Sequence, residues 1–356
     1  MTRQDAGTAR GRLPETRHRR QGMQQGRRRV LQQMGLGVAG AALAGVGLGA
    51  RAQGGAGVDF PARTVRIVMP YAAGGTGDVV ARMVADGLAK AWGKAVVVDN
   101  RPGAGGMIGA DMVAKAEPDG YTLLFALTGL VQAPLLYSKA NYNAVRDFAP
   151  ISELATSNLA LVVQPDVPAA NVKQLIDYIR KLGKPLPYGS YGLGSSGHLQ
   201  MEVFGRNARV ELTHVPYKGE GPLVNDLLGG QLPAGVVAAV TARTHARAGK
   251  LKVVAVAGQS RSPLLPEVPT FQEAGVPGLE RQGWLGLFAP AATPRAVVDK
   301  VSADVNRVLA NPELHTRLVD LGIIVKGSSP AAFADVVKVE QTYWAEAIRA
   351  SNIRLD

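Results

Sequence analysis

From Val65 onward, short β-branched runs alternate with stretches whose apolar residues recur every three or four positions, and glycine-rich turns join the two. That alternation constrains the fold most. A strand feeding a helix feeding a strand packs back as a sheet covered by helices. Residues 65–69 read as a buried strand. The turn Tyr71-Ala72-Ala73-Gly74-Gly75-Thr76-Gly77 follows, and Asp78 opens a helix with Val80, Met83, Val84 and Leu88 on one face. Strands are predicted again at 96–98 and 121–127, with a helix at 108–116 between them. The same grammar resumes at Leu161-Val162-Val163, with strands at 186–191, 212–215, 236–240 and 253–257 and helices at 172–182, 198–205 and 222–228. A strand at 285–288 and helices at 294–309, 312–321 and 330–350 complete the chain. The expected sheets are parallel or mostly parallel, with both faces covered.

Length and charge narrow the class. The chain has 356 residues, enough for two medium cores, and a formal charge of +12. Residues 1–52, however, hold ten Arg against only Asp5 and Glu15, so the remainder carries +4 and no long basic run. A nucleic-acid partner is therefore not expected. The basic start has an export logic instead. Arg27-Arg28-Arg29-Val30-Leu31 precedes an apolar Gly/Ala-rich stretch from Met34 to Ala50, and Ala50-Arg51-Ala52 offers small residues for cleavage. The arginine pair with two apolar residues just after it looks like a twin-arginine signal. As a membrane span the stretch is short and weakly apolar. Residues before Met23 add nothing to such a signal, which leaves Met1 and Met23 both open as the start.

Three strand–turn–helix junctions carry the candidate chemistry: residues 73–77, 102–106 and 192–197. In α/β sheets ligands sit at the carboxyl ends of strands, where helix N-termini present free N–H groups and glycine lets the backbone approach. Thr76, Ser195 and Ser196 add hydroxyls, and such turns suit an anionic oxygen. The alternative is that the glycines serve only tight turns, with Asp78 as a helix cap. Gly192-Leu193-Gly194-Ser195-Ser196-Gly197 spells a dinucleotide fingerprint, but Glu211 precedes the next strand rather than ending it. Neither serine is framed as a nucleophile elbow, Cys is absent, and His198, His214, His245 and His315 are scattered. No catalytic residue, metal site or cofactor is expected. A nucleotide-dependent α/β enzyme and a receptor-derived signalling protein stand as the competing functions.

The motifs, taken in order, resemble the tripartite tricarboxylate transporter substrate-binding proteins, the TctC-like or Bordetella uptake gene family. The match runs through Arg66-Ile67-Val68-Met69-Pro70-Tyr71-Ala72-Ala73-Gly74-Gly75-Thr76-Gly77-Asp78, Asn100-Arg101-Pro102-Gly103-Ala104-Gly105-Gly106, Pro118-Asp119-Gly120-Tyr121, Gly194-Ser195-Ser196-Gly197-His198, Val215-Pro216-Tyr217-Lys218-Gly219 and Asp226-Leu227-Leu228-Gly229-Gly230-Gln231. The resemblance implies a type II periplasmic-binding fold: two α/β lobes, joined by crossing segments, that close on a small carboxylic acid and pass it to membrane transporter components. It also implies ligand contacts from Tyr71, Ala73, Gly74, Gly75, Thr76, Gly77 and Asp78 in one lobe. Ser190, Gly194, Ser195, Ser196 and His198 would contribute from the other, with Thr128, Gly129 and Tyr217 nearby. The expected organisation is a cleaved leader (1–52), one lobe from 53–160 with 258–356, the other from 161–257, and a monomer in the periplasm.

One departure from the family bears on the ligand. Where a polar pair with an acid is usual, this chain has Val237-Ala238, which removes a partner for an ammonium and favours a plain acid. A side chain at Gly75 is expected to fill the space a carboxylate needs.

Overall fold

The computed structural model describes residues 59–137 and 140–351; the leader and its cleavage site lie outside them. The elements run β1 (Val65–Met69), α1 (Thr76–Trp92), β2 (Val96–Asn100), α2 (Met107–Ala114), β3 (Thr122–Leu127), α3 (Gly129–Gln132) and β4 (Phe148–Ser157). Next come β5 (Leu159–Val163), α4 (Val172–Leu182), β6 (Leu186–Ser190), α5 (Ser196–Ala208), β7 (Leu212–Pro216), α6 (Glu220–Leu228), β8 (Ala234–Ala238), α7 (Ala239–Arg247) and β9 (Lys252–Val256). The chain ends with β10 (Gly283–Pro290), α8 (Arg295–Leu309), α9 (Pro312–Asp320), β11 (Ile324–Val325) and α10 (Pro330–Ser351).

Two sheets organise these elements. A six-stranded sheet has the order β11-β4-β10-β3-β1-β2 and a five-stranded sheet β7-β6-β8-β5-β9. Both are mixed, which corrects the expectation of mostly parallel pairing. The β1, β2 and β3 strands are parallel, as are β6, β7 and β8, but β10 runs antiparallel to β3 and to β4, and β5 antiparallel to β8 and to β9. The antiparallel strands flank the crossings between sheets, so they need no helical crossover of their own.

The helices form for local reasons. Helix α1 buries Val80, Val84 and Leu88 on one stripe and ends at Gly93, whose left-handed conformation lets its N–H reach the Ala89 carbonyl. Asn171 caps α4 through the Gln174 N–H, and Ser195 caps α5 through the His198 N–H. Helix α5 starts at Ser196 rather than His198, and β8 ends at Ala238 rather than Val240, with α7 beginning at Ala239.

The chain leaves the first sheet at Ser157 and enters the second at Leu159, with Asn158 alone between. It leaves the second after Val256. The outgoing and returning segments touch: the Asn158 side-chain amide donates to the Ala257 carbonyl (2.8 Å), and the Ala257 N–H donates to Leu159 (2.8 Å). Two α/β lobes joined by crossing segments make a type II periplasmic-binding fold.

Candidate functional site

A cavity of about 70 Å³ lies at the carboxyl ends of β1, β3 and β8, walled by Met69 and Leu127 from one sheet and Ala238 from the other. Most of its wall is apolar (Leu159, Leu285, Ile323), and Tyr71 and Tyr191 meet edge to face beside it with ring centres 5.9 Å apart. Thr76, Thr128, Ser157 and Glu220 bring the polar side chains. Few donors in a dry setting orient a ligand strongly, because little water competes with them.

The first glycine turn delivers α1 to this cavity. Of the residues expected there, Tyr71, Gly75, Thr76, Gly77, Asp78 and Thr128 line it. Three of the turn's N–H groups are already engaged, that of Ala72 by the Lys218 carbonyl (2.8 Å). Gly74 donates to Asp78 Oδ2 (3.1 Å) and Thr76 donates to Glu220 Oε2 (2.8 Å). Helix geometry leaves Gly77 and Asp78 without intrahelical acceptors for theirs. The Asp78 carboxylate is itself saturated, taking Arg82 through Nε and Nη2 (both 3.1 Å) and Asn100 Nδ2 (2.9 Å). Burial pushes its pKa up, but the hydrogen bonds from Arg82, Asn100 and Gly74 outweigh that and hold it below the ordinary Asp value. Thr128 Oγ1 accepts the Trp284 N–H (2.9 Å) and keeps its own proton to donate.

The structure places the other expected residues differently. Ala73, Gly74, Gly129, Ser190, Gly194, Ser195, Ser196, His198 and Tyr217 are not on the cavity wall. Their polar atoms serve the fold. Ser196 Oγ donates to Gln132 Oε1 across the lobes (2.9 Å), and the Gly194 N–H donates to His198 Nδ1 (3.1 Å). Ser190 Oγ pairs with His214 Nε2 (2.7 Å), and Tyr217 Oη donates to Asp226 (2.6 Å). His198 stacks on His214 with ring centres 3.9 Å apart. Burial lowers both, His198 to about 4 and His214, with help from His198, to about 3. The second lobe reaches the cavity through Glu220, Ala238 and Tyr191; burial pushes the Tyr191 hydroxyl up to about 12 although Ser196 and Gly197 hydrogen-bond to it.

The glycines of the later turns bring the lobes together. A Cβ on Gly192 would meet Gly105, and one on Gly194 would lie 3.1 Å from Ala133 Cα. Sequence reasoning missed Glu220. It looked for an acid at 237–238 and found Val237-Ala238; Val237 is buried away from the cavity, and the acid arrives from the first turn of α6, where its Oε1 accepts the Ala238 N–H (2.7 Å). The available signal was Gly219-Glu220-Gly221-Pro222, an acid framed by glycines at a helix start. Among the described residues no group of three or more His, Asp or Glu is placed to hold a metal.

Comparison with known proteins places the chain. The tripartite tricarboxylate transporter family receptor model matches residues 80–353. A protein from the tcbD–tcbE intergenic region of a Pseudomonas species is 40% identical over 325 residues, 91% of this chain and 94% of that one. A Rhodopseudomonas palustris structure with adipate superposes with a TM-score of 0.79 at 34% identity, covering 83% of this chain and 99% of that one. MatC from the same organism, solved with malate, gives 0.78 at 35% identity, covering 81% and 100%. The family's members are receptors rather than catalysts, and the chain belongs to it: a tripartite tricarboxylate transporter family receptor, an extracytoplasmic solute-binding protein of the type II fold.

Proposed function

We propose that this receptor captures a small organic carboxylate in the cavity at the start of α1 and delivers it to the membrane components of a tripartite tricarboxylate-type transporter. The observation that carries the reading is the cavity itself: an apolar chamber between the lobes with the unpaired N–H groups of Gly77 and Asp78 and the Thr128 hydroxyl at one end. Adipate and malate in similar receptors support the same ligand class. The ligand is gripped mainly by backbone donors, so its chain is selected by the fit of Met69, Leu127 and Leu285. One observation favours a second reading. The Glu220 carboxylate is in the cavity wall, where an ammonium on the ligand would find a partner.

The receptor acts as a monomer without cofactor or nucleic acid, its second lobe running from Leu159 to about Ala257 and its first formed by the segments on either side. It reaches the periplasm through a twin-arginine signal cleaved near Ala52. A thermal-shift screen of organic acids on the mature protein tests the function, since a ligand that binds only the folded state raises its melting temperature. If no acid raises the melting temperature, the assignment fails.

A further inference from the structure

Three helix N-termini converge on one side chain. Glu220 is the first residue of α6; its Oε2 accepts the first N–H of α1, from Thr76 in one lobe (2.8 Å), and its Oε1 accepts the N–H of Ala238, which caps α7 in the other (2.7 Å). Each helix N-terminus carries about half a positive charge, and a carboxylate among three of them stands where such an arrangement holds an external anion. Its place along the seam matters too. Thr76 and Glu220 are the residues shared by the walls of the inner cavity and of an outer one of about 300 Å³, which Asn225, Thr241, Thr244 and His245 also line. Glu220 therefore separates the ligand chamber from the outer cavity. Gly75 fits this arrangement, because a Cβ there would lie 3.0 Å from the Glu220 Cβ.

We infer that Glu220 is an internal competitor for the ligand's carboxylate: it bridges the lobes by taking the Thr76 N–H, which adjoins the Gly77 and Asp78 donors, and it yields Thr76 when the ligand binds. The inference rests on the carboxylate reading above. Two carboxylates cannot share the Thr76 N–H, and at about 4 Å their repulsion in a partly dry site is severalfold greater than in water. The outer cavity offers the displaced side chain polar company from Asn225, Thr241 and His245. The affinity measured for any acid is then reduced by the work of displacing Glu220, and only acids that fill the inner chamber well overcome it.

The test is titration calorimetry of the mature protein, wild type, Glu220→Ala and Glu220→Gln, with succinate, malate, adipate and aspartate. The inference expects Glu220→Ala to bind the non-amino acids at least tenfold more tightly. Glu220→Gln, which keeps one acceptor oxygen but no charge, should gain less. Small-angle scattering without ligand should show Glu220→Ala more open than wild type. If an acid binds wild type and both substitutions leave its affinity unchanged or weaker, the inference is overturned while the carboxylate reading stands. If aspartate binds wild type and is lost in both variants, Glu220 pairs with an ammonium and the inference is likewise overturned. If none of the acids binds any of the three proteins, the carboxylate reading fails and the inference falls with it. Should Glu220→Ala lose its circular-dichroism spectrum, the near-isosteric Glu220→Gln decides by the same sign.

Discussion

Gly105 and Leu193 stand so close across the lobe seam that a Cβ on the glycine would lie 1.9 Å from the leucine's carbonyl oxygen. Gly105 also has φ of +65°, a left-handed conformation that costs an L side chain about 1 kcal/mol or more. Neither residue touches the cavity. Replacing Gly105 by Ala is therefore expected to block closure while leaving each lobe folded. The acid identified by the thermal screen should bind the variant at least tenfold more weakly, with a urea midpoint near wild type and a scattering radius that ligand no longer reduces. Undiminished affinity would mean that closure at this turn is not part of binding.

Asp78 is expected to act on stability through its charge. Its carboxyl lies below the ordinary value in the folded state, so the stabilisation is complete above the unfolded value of about 4 and is lost as pH falls through the folded one. Asp78→Asn removes the charged partner of Arg82 and should cost about 1–3 kcal/mol at pH 7. The gap between wild type and variant in urea unfolding should narrow below pH 4. A gap that stays constant down to pH 2 would contradict the assignment.

The stacked imidazoles predict a second acid dependence. His198 and His214 are held at about 4 and about 3 by burial, below the unfolded value of about 6.5. The unfolded chain takes up their protons first, so stability falls as pH drops from 6.5 and the loss levels off below about 3. Replacing both by Gln should flatten the melting temperature between pH 6.5 and 4. An equally steep profile in the double variant would place the dependence elsewhere.

The sequence made some of this legible and hid the rest for physical reasons. The β1 strand and α1 announce themselves because a strand buried on both faces reads as an apolar run, and a helix on a sheet shows a stripe. The β4 strand does not. Its residues Phe148 to Ser157 mix buried Ile151 and Leu154 with partly exposed Pro150 and Glu153, since it pairs with β10 in an irregular register and with only the short β11 on its other side. Turns could be found but not their use: Gly105 and Gly194 look like ligand glycines in the chain, and only the folded lobes reveal that each faces a backbone across the seam. Glu220 is separated by 144 residues from the N–H it accepts, and no local pattern relates it to the first turn.

The last prediction concerns the hinge. Asn158 is buried between the outgoing and returning crossing segments; its Nδ2 donates to the Ala257 carbonyl (2.8 Å), and its own carbonyl accepts the Ala239 N–H (3.0 Å). Asn158→Ala deletes the side-chain link and should cost about 0.5–1.5 kcal/mol, the net worth of one hydrogen bond. Asn158→Asp keeps the shape but turns an ionised oxygen toward the Ala257 carbonyl in a buried site, so it should cost more, on the order of several kcal/mol at pH 7. Part of that excess should return at pH 4, where a raised carboxyl is protonated and donates again. Urea unfolding of the three proteins at both pH values measures the order. If the aspartate variant is as stable as the alanine variant at pH 7, the amide does not bridge the crossings in solution, and the hinge must be held by backbone bonds, from Ala257 to Leu159 and along the β5–β9 ladder.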